Sequence, residues 1–294
     1  MILSGFTPCN TTFLGDTRAD IVTNLISILT ANGWSVVVNN SATDQVLQSA
    51  TTPAGQNVRV HIKDPGSGNC AQILPQKASV GVDLATLWLL PGATSTYRVI
   101  ANPYQFFVFR DGVLPAAREF CCVIVPFCPP GVAALSSDIF FAGVNAASDG
   151  DTTGGGFCFI NSHKWDSNGT GGGAGVVCVL GSNLWTQFGT YNGGVGQPTL
   201  AYLASDNDGS MNCYLRQFAD SSWAVTDVLL GWGATGPNTN GLSVGWIWDS
   251  MLIYENPGPA LGAVRNFPIA AGGPSHTWFV LGNIQLPALA LLTN

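Results

Sequence analysis

The stretch Asn57-Val58-Arg59-Val60-His61-Ile62-Lys63 decides the class of the fold. Val58, Val60 and Ile62 alternate with Arg59, His61 and Lys63, and a period of two puts each set on its own face of a strand. One face is apolar and belongs against a core. The other carries two cations and a titratable ring, so it meets solvent or an acidic neighbour. Pro65-Gly66-Ser67-Gly68 then turns the chain. The same texture predicts strands over residues 34–38, 80–84, 97–101 and 105–110, the last closing on the turn pair Asp111-Gly112. Beyond it, shorter strands are predicted over 120–125, 139–144, 156–161, 175–180, 199–204, 211–216 and 246–254. Polar Gly-rich loops separate them, as at 148–156 and 166–173. Many short strands with frequent turns predict a mainly β fold of sandwich or jelly-roll type.

One helix interrupts this pattern near the N-terminus. Ile21, Val22, Leu25, Ile26, Ile28 and Leu29 form a single apolar face at the helical period over Arg18 to Asn32. Thr17 with Asp20 resembles a capping box in which Asp replaces Glu. Gly33 stands where a left-handed cap falls. The expected division places an N-terminal helix and β domain at 1–113 and a Gly-rich β domain at 114–294.

Charge is nearly absent. Of 294 residues only 9% are Asp, Glu, Lys or Arg, against about 25% in an ordinary soluble domain. Hydrophobic residues make up 46% and glycine contributes 36 positions. An isolated monomer relies on a charged, patch-free surface for solubility. A chain without one is expected to be covered by other protein, as a subunit of a large assembly. The net charge of −7 and the scattered basic residues argue against nucleic acid as a partner. The N-terminal residues lack the basic and apolar segments of a secretory signal. No apolar run is long enough for a membrane span.

The search for chemistry finds weak signals. None of the histidines His61, His163 and His276 stands in a motif with a second metal ligand. Gly241-Leu242-Ser243-Val244-Gly245 matches the serine elbow of hydrolases, with Asp249 or Glu255 and then His276 following. That elbow needs a strand before the serine and a helix after it, whereas loop residues precede and a strand pattern follows, so a plain turn is expected. A glycosidase would have to use Glu119 and Glu255, the two glutamates, or aspartates in their place. Asp206, Asp208 and Ser210 have the alternate spacing of a calcium loop, but Met211 and Gln217 stand where its glycine and closing Glu belong. The cysteines Cys9, Cys70, Cys121, Cys122, Cys128, Cys158, Cys178 and Cys213 form no Cys-x-x-Cys pair and read mostly as buried thiols. Trp232, Trp246, Trp248 and Trp278 would stack on a sugar if exposed; alternation instead puts Trp246 and Trp248 together on a core face. The reading is therefore a non-enzyme with no catalytic, cofactor-binding or metal residues. The apolar end, residues 284–292, is expected to dock on a neighbour.

Two segments carry a resemblance. Ala31-Asn32-Gly33-Trp34 ends the helix, and Val99-Ile100-Ala101-Asn102-Pro103-Tyr104-Gln105-Phe106-Phe107-Val108-Phe109 follows before Gly-, Ser- and Asn-rich β structure of low charge. This is similar to structural proteins of tailed bacteriophage virions, especially tail, baseplate and fibre-associated components. The resemblance implies a virion location, with assembly in the host cytoplasm. The partners it implies are further copies of the chain, other virion proteins and, for a receptor-binding module, a host surface glycan. Capsid decoration and polysaccharide depolymerisation are the alternatives. No residue role comes with it.

Overall fold

The alternation at Val58–Lys63 holds in a computed structural model of the chain, where Val58, Val60 and Ile62 are buried and Arg59, His61 and Lys63 face outward. The structure describes residues 7–79, 81–83, 86–113, 118–125, 127, 140–144, 149–150, 175–180, 183–187, 197–199, 224–233, 242–254, 262–268, 273–281 and 288–294. The elements run β1 (Cys9–Leu14), α1 (Arg18–Ala31), β2 (Ser35–Ser41), β3 (Asp44–Gln48), β4 (Val58–Lys63), β5 (Ala71–Lys77), β6 (Leu87–Leu89), β7 (Thr96–Asn102), β8 (Gln105–Arg110) and β9 (Phe120–Ile124). They continue as β10 (Phe140–Val144), β11 (Gly175–Leu180), β12 (Asn183–Gln187), β13 (Gln197–Thr199), β14 (Ala224–Gly233), β15 (Leu242–Tyr254), β16 (Val264–Pro268), β17 (Ser275–Leu281) and β18 (Ala288–Leu292). The fold is mainly β, in three antiparallel sheets, with α1 the single helix among the described residues.

Helix α1 forms where its local signals place it. Thr17 accepts from the Asp20 backbone N–H at 3.1 Å, and the Asp20 carboxylate accepts from the Thr17 backbone N–H at 3.0 Å. This reciprocal pair satisfies two of the N–H groups a helix leaves unpaired at its start. Ile21, Val22, Leu25, Ile26 and Leu29 are buried. Asn32 caps the other end, and Gly33 follows at φ +90°. A Cβ there would also lie 3.0 Å from the Pro103 ring, so both conformation and space call for glycine.

A seven-stranded sheet in the order β1-β7-β8-β9-β10-β11-β12 forms the middle of the molecule. One face presents Tyr97, Val99, Ala101, Phe106, Val108, Cys121 and Val123 to a core shared with α1 and the five-stranded sheet β2-β3-β4-β5-β6. The opposite face presents Ile100, Phe107, Phe109, Phe120, Cys122 and Ile124, also buried. Burial on both faces explains why β8 and β9 are continuous apolar runs rather than alternating ones. The six-stranded sheet β13-β14-β15-β18-β17-β16 packs on this second face. Its Phe279 ring lies 5.8 Å from that of Phe109 and 4.9 Å from the Arg98 guanidinium carbon.

Polar groups fix this packing. Trp248 donates its indole N–H to the Val125 carbonyl at 2.8 Å and stacks on Tyr104 at 4.7 Å. Gln105 donates to the Trp248 carbonyl at 2.6 Å, and Asn102 donates to the buried Asp249 carboxylate at 2.8 Å. Asn102 also accepts from the N–H groups of Tyr104 and Gln105, and so shapes the two-residue turn between β7 and β8. The anchoring residues Trp248 and Asp249 lie in a large bulge of β15, which resumes its pairing with β14 only at Met251.

Several expectations change here. Among the described part of 80–84, only a bridge between Gln76 and Asp83 forms, since Gly81 at φ +66° breaks the extended run; the strand is Leu87–Leu89. The expected division at 113 and 114 falls inside one sheet, because β8 and β9 pair directly across it. The bulge of β15 interrupts the alternation from which Trp246 and Trp248 were placed on one face. The expected strands at 156–161 and 211–216 lie outside the described residues, as does 200–204 of a third.

The largest correction concerns the apolar end. β18 lies between β15 and β17, and Leu289, Ala290, Leu291 and Leu292 are buried. The described part of the end that was expected to dock on a neighbour, Ala288–Leu292, instead completes the chain's own sheet, and 284–287 lie outside the described residues. Ala290 and Leu292 join Met251, Ile253, Phe267, Trp278 and Val280 in a separate core.

Candidate interaction surface

The β2–β3 hairpin starts at an anchor. Trp34 is buried, packs edge-on to Phe106 at 5.5 Å and donates its indole N–H to the Asn102 carbonyl at 3.0 Å. Immediately after it the chain leaves the core. All seven residues of β2, Ser35–Ser41, are exposed, with Val36 at 42%, Val37 at 39% and Val38 at 43% of their full accessible surface. β2 forms an outer edge of the five-stranded sheet. Its pairing with β3 shifts register between Val36 and Val38 and again between Asn39 and Ser41. Such bulges bend a strand and raise its twist. Three consecutive valines are thereby displayed where a regular strand would turn alternate ones inward.

A charged network holds the hairpin's other end. His61 on β4 reaches Asp44 on β3 at 2.7 Å through Nε2 and Asp83 at 3.4 Å through Nδ1. Asn40 on β2 donates to Asp44 at 3.0 Å, and Gln76 on β5 donates to Asp83 at 2.6 Å. These contacts tie four strands together across the outer face of the sheet. Burial disfavours the charge on Asp44, but the hydrogen bonds from His61 and Asn40 outweigh it. With the field of His61 and Lys63 they hold the carboxyl below its ordinary value. Of the two surroundings open for the 57–63 face, solvent or an acidic neighbour, His61 meets the second, in Asp44 and Asp83.

Of the residues weighed for catalysis, Ser243, Asp249, His276 and Glu119 are among those described. Ser243 lies within β15, paired with Gly231 of β14, so the Gly-x-Ser-x-Gly match is neither an elbow nor a turn. His276 lies in β17, opposite Phe267. Asp249 is buried at the sheet-to-sheet contact described above, at φ +47°. Glu119 is buried and receives Arg110 at 2.6 Å. Glu255, His163 and the loop of Asp206, Asp208 and Ser210 lie outside the described residues.

Of the tryptophans, Trp248 and Trp278 are buried, the latter stacked on Phe267 at 4.9 Å. Trp232 and Trp246 are strand residues whose side chains are not described. Cys70, Cys121 and Cys122 are buried thiols and Cys9 is half-buried. Burial pushes the Cys9 thiol up in pKa, and burial with the Asp149 carboxylate does the same to Cys70, so both are poor nucleophiles. Cys178 is a β11 strand residue; Cys128, Cys158 and Cys213 lie outside the described residues. Among the described residues no His, Cys, Asp and Glu cluster is arranged to hold a metal ion. No helix among them is long and apolar enough to cross a membrane.

β2 escaped the sequence reading as a surface. A run of valines signals a strand, and ordinarily a buried one; the signal for exposure is only the polar Asn39-Asn40-Ser41 continuation. No family model matches the chain, and no curated protein matches it.

Proposed function

We propose that the chain is a non-catalytic structural subunit of a virion, present in repeated copies and held by contacts between chains. The exposed, uncharged valine strand β2 carries this reading. On a protein with 9% charged residues, three adjacent exposed valines on a sheet edge are a surface built to be covered. The polar chemistry of the described residues supports it too, because it is spent on structure. Arg98 forks onto Asp111 at 2.7 and 2.9 Å, Arg110 holds Glu119, and Asn102 and Gln105 join two sheets. The low charge fits a chain that assembles once and stays assembled. A position in the tail, baseplate or fibre region follows the resemblance of its helix-end and β7–β8 segments.

Imaging of an intact particle with this chain placed in it tests the proposal. Repeated copies related by the particle's symmetry are expected. Absence of the chain from purified particles would overturn the reading. So would polysaccharide cleavage by the assembly that disappears with Glu119→Gln.

A further inference from the structure

We propose that the outward face of the five-stranded sheet binds a carboxylate-bearing saccharide, with Trp88 as its platform, Gln72 as its amide and Lys63 as its cation. The site is additional to the contacts between chains proposed above and does not depend on them.

The register of the sheet sets these residues side by side. Asp44 of β3 stands opposite Lys63 of β4, Lys63 opposite Gln72 of β5, and Gln72 opposite Trp88 of β6. Directly opposed residues share a face. That face is the outer one, because the alternating neighbours Ile62, Ala71, Ile73, Leu87 and Leu89 all belong to the core. Lys63, Gln72 and Trp88 are half-buried. Strands about 4.8 Å apart set Lys63 and Trp88 about 10 Å from each other, a span that a disaccharide covers.

The side chains of this row differ from the other polar groups in having no work in the fold. Arg18 pairs with Asp64, Arg59 donates to Gln48, Arg98 forks onto Asp111, Arg110 holds Glu119 and Arg118 donates to the Asp149 carbonyl. The side chains of Lys63, Gln72 and Trp88 make no hydrogen bond or ion pair with any described residue. Asp44 is the natural partner of Lys63, directly across the ladder. Its carboxylate is instead taken by His61 at 2.7 Å and by Asn40 at 3.0 Å. The network that ties the hairpin thus leaves an ammonium group unpaired beside an amide and an indole.

That combination selects a ligand. A pyranose ring presents an apolar C–H face, which an indole covers with a large rigid surface. Its hydroxyls meet both the donor and the acceptor of the Gln72 amide. A carboxylate on the sugar meets Lys63 in a charge-assisted hydrogen bond. One cation beside Asp44 suits a single carboxylate better than nucleic acid, whose phosphates repeat along the strand and would meet Asp44. A peptide adding as a strand would need the sheet's edge rather than its face.

Calorimetric titration of the full chain with a glucuronate oligosaccharide, and with a glucose oligosaccharide of the same length, tests the site. The acidic sugar should bind about tenfold more tightly than the neutral one, and added salt should weaken only the acidic one. Trp88→Ala should abolish binding of both. Lys63→Gln breaks no hydrogen bond or ion pair of the fold, so it should keep the neutral sugar's affinity and the wild-type unfolding midpoint while erasing the preference for acid. If neither sugar binds wild type, or if Trp88→Ala binds as wild type does, the site falls. An acidic preference that survives Lys63→Gln removes Lys63 as the cation and overturns the proposed ligand class. So would a mononucleotide that binds more tightly than either sugar. The assembly reading stands or falls separately, on placement of the chain in the particle.

Discussion

β8 and β2 are both short uncharged runs of strand-forming residues, apart from Arg110 at the end of β8, yet they have opposite fates. In β8, Phe106, Phe107, Val108 and Phe109 are fully buried, because a sheet or helix covers each face. In β2, Val36, Val37 and Val38 are exposed, because β2 lies at an edge beyond the core. Composition is therefore a poor guide to burial in this chain. Position in the sheet decides whether an apolar strand is buried in the core or left exposed. The contrast yields graded expectations, since substitutions in the covered region should destabilise the fold and those in β2 should spare it.

Phe106→Ala should have the largest effect. A buried Phe reduced to Ala costs about 3–5 kcal/mol, and this one also loses its contact with Trp34, the anchor of the hairpin. Denaturant unfolding measures it, and a loss below about 1 kcal/mol would mean that the middle sheet is not the core. Next comes Asn102→Ala, which strips a partner from Asp249 and from two turn N–H groups. Each buried polar group left unsatisfied costs about 1–3 kcal/mol. An unchanged unfolding midpoint would break the account of how the middle and six-stranded sheets are joined. Thr17→Ala removes the cap of α1 and should cost about 1 kcal/mol; the same unfolding curves would show it.

Smaller still is the pH effect at Asp44. Its carboxyl is lowered in the folded protein, so its contribution is present above the unfolded value of about 3.9 and is lost as pH falls through the folded value. Urea midpoints at near-neutral and acidic pH should therefore differ less in Asp44→Asn than in wild type. An equal difference would remove Asp44 from the network that holds the hairpin. The smallest effect belongs to Val37→Lys, within about 0.5 kcal/mol of wild type in stability. A larger loss would show that β2 serves the fold.

What the sequence made legible was local. The capping box at Thr17 and Asp20, the turn glycine at Gly33 and the alternation of Val58, Val60 and Ile62 depend on residues a few positions apart. Long-range pairing was not legible. The apolar run at Ala288–Leu291 looks the same whether it covers a neighbour or pairs with Ser250–Ile253, far earlier in the chain. The bulge that brings Trp248 and Asp249 to Gln105 and Asn102 breaks the period on which strand reading depends. His61 left solvent and an acidic neighbour both open, because Asp44 and Asp83 reach it only through the pairing of β3 with β4 and the bridge at Gln76. For the valines of β2, sequence identified the strand, but exposure follows from where the sheet ends.

Amide hydrogen exchange of the full chain, followed at low and at high concentration, tests the contrast most directly. The amides of Phe106–Phe109 should be strongly protected at both, because their burial is intramolecular. Those of Val36–Asn39 that face away from β3 should exchange freely when dilute and gain protection when concentrated. Equal exchange across Val36–Asn39 at every concentration would contradict the account, because β2 would then be an exposed edge that nothing in this protein covers.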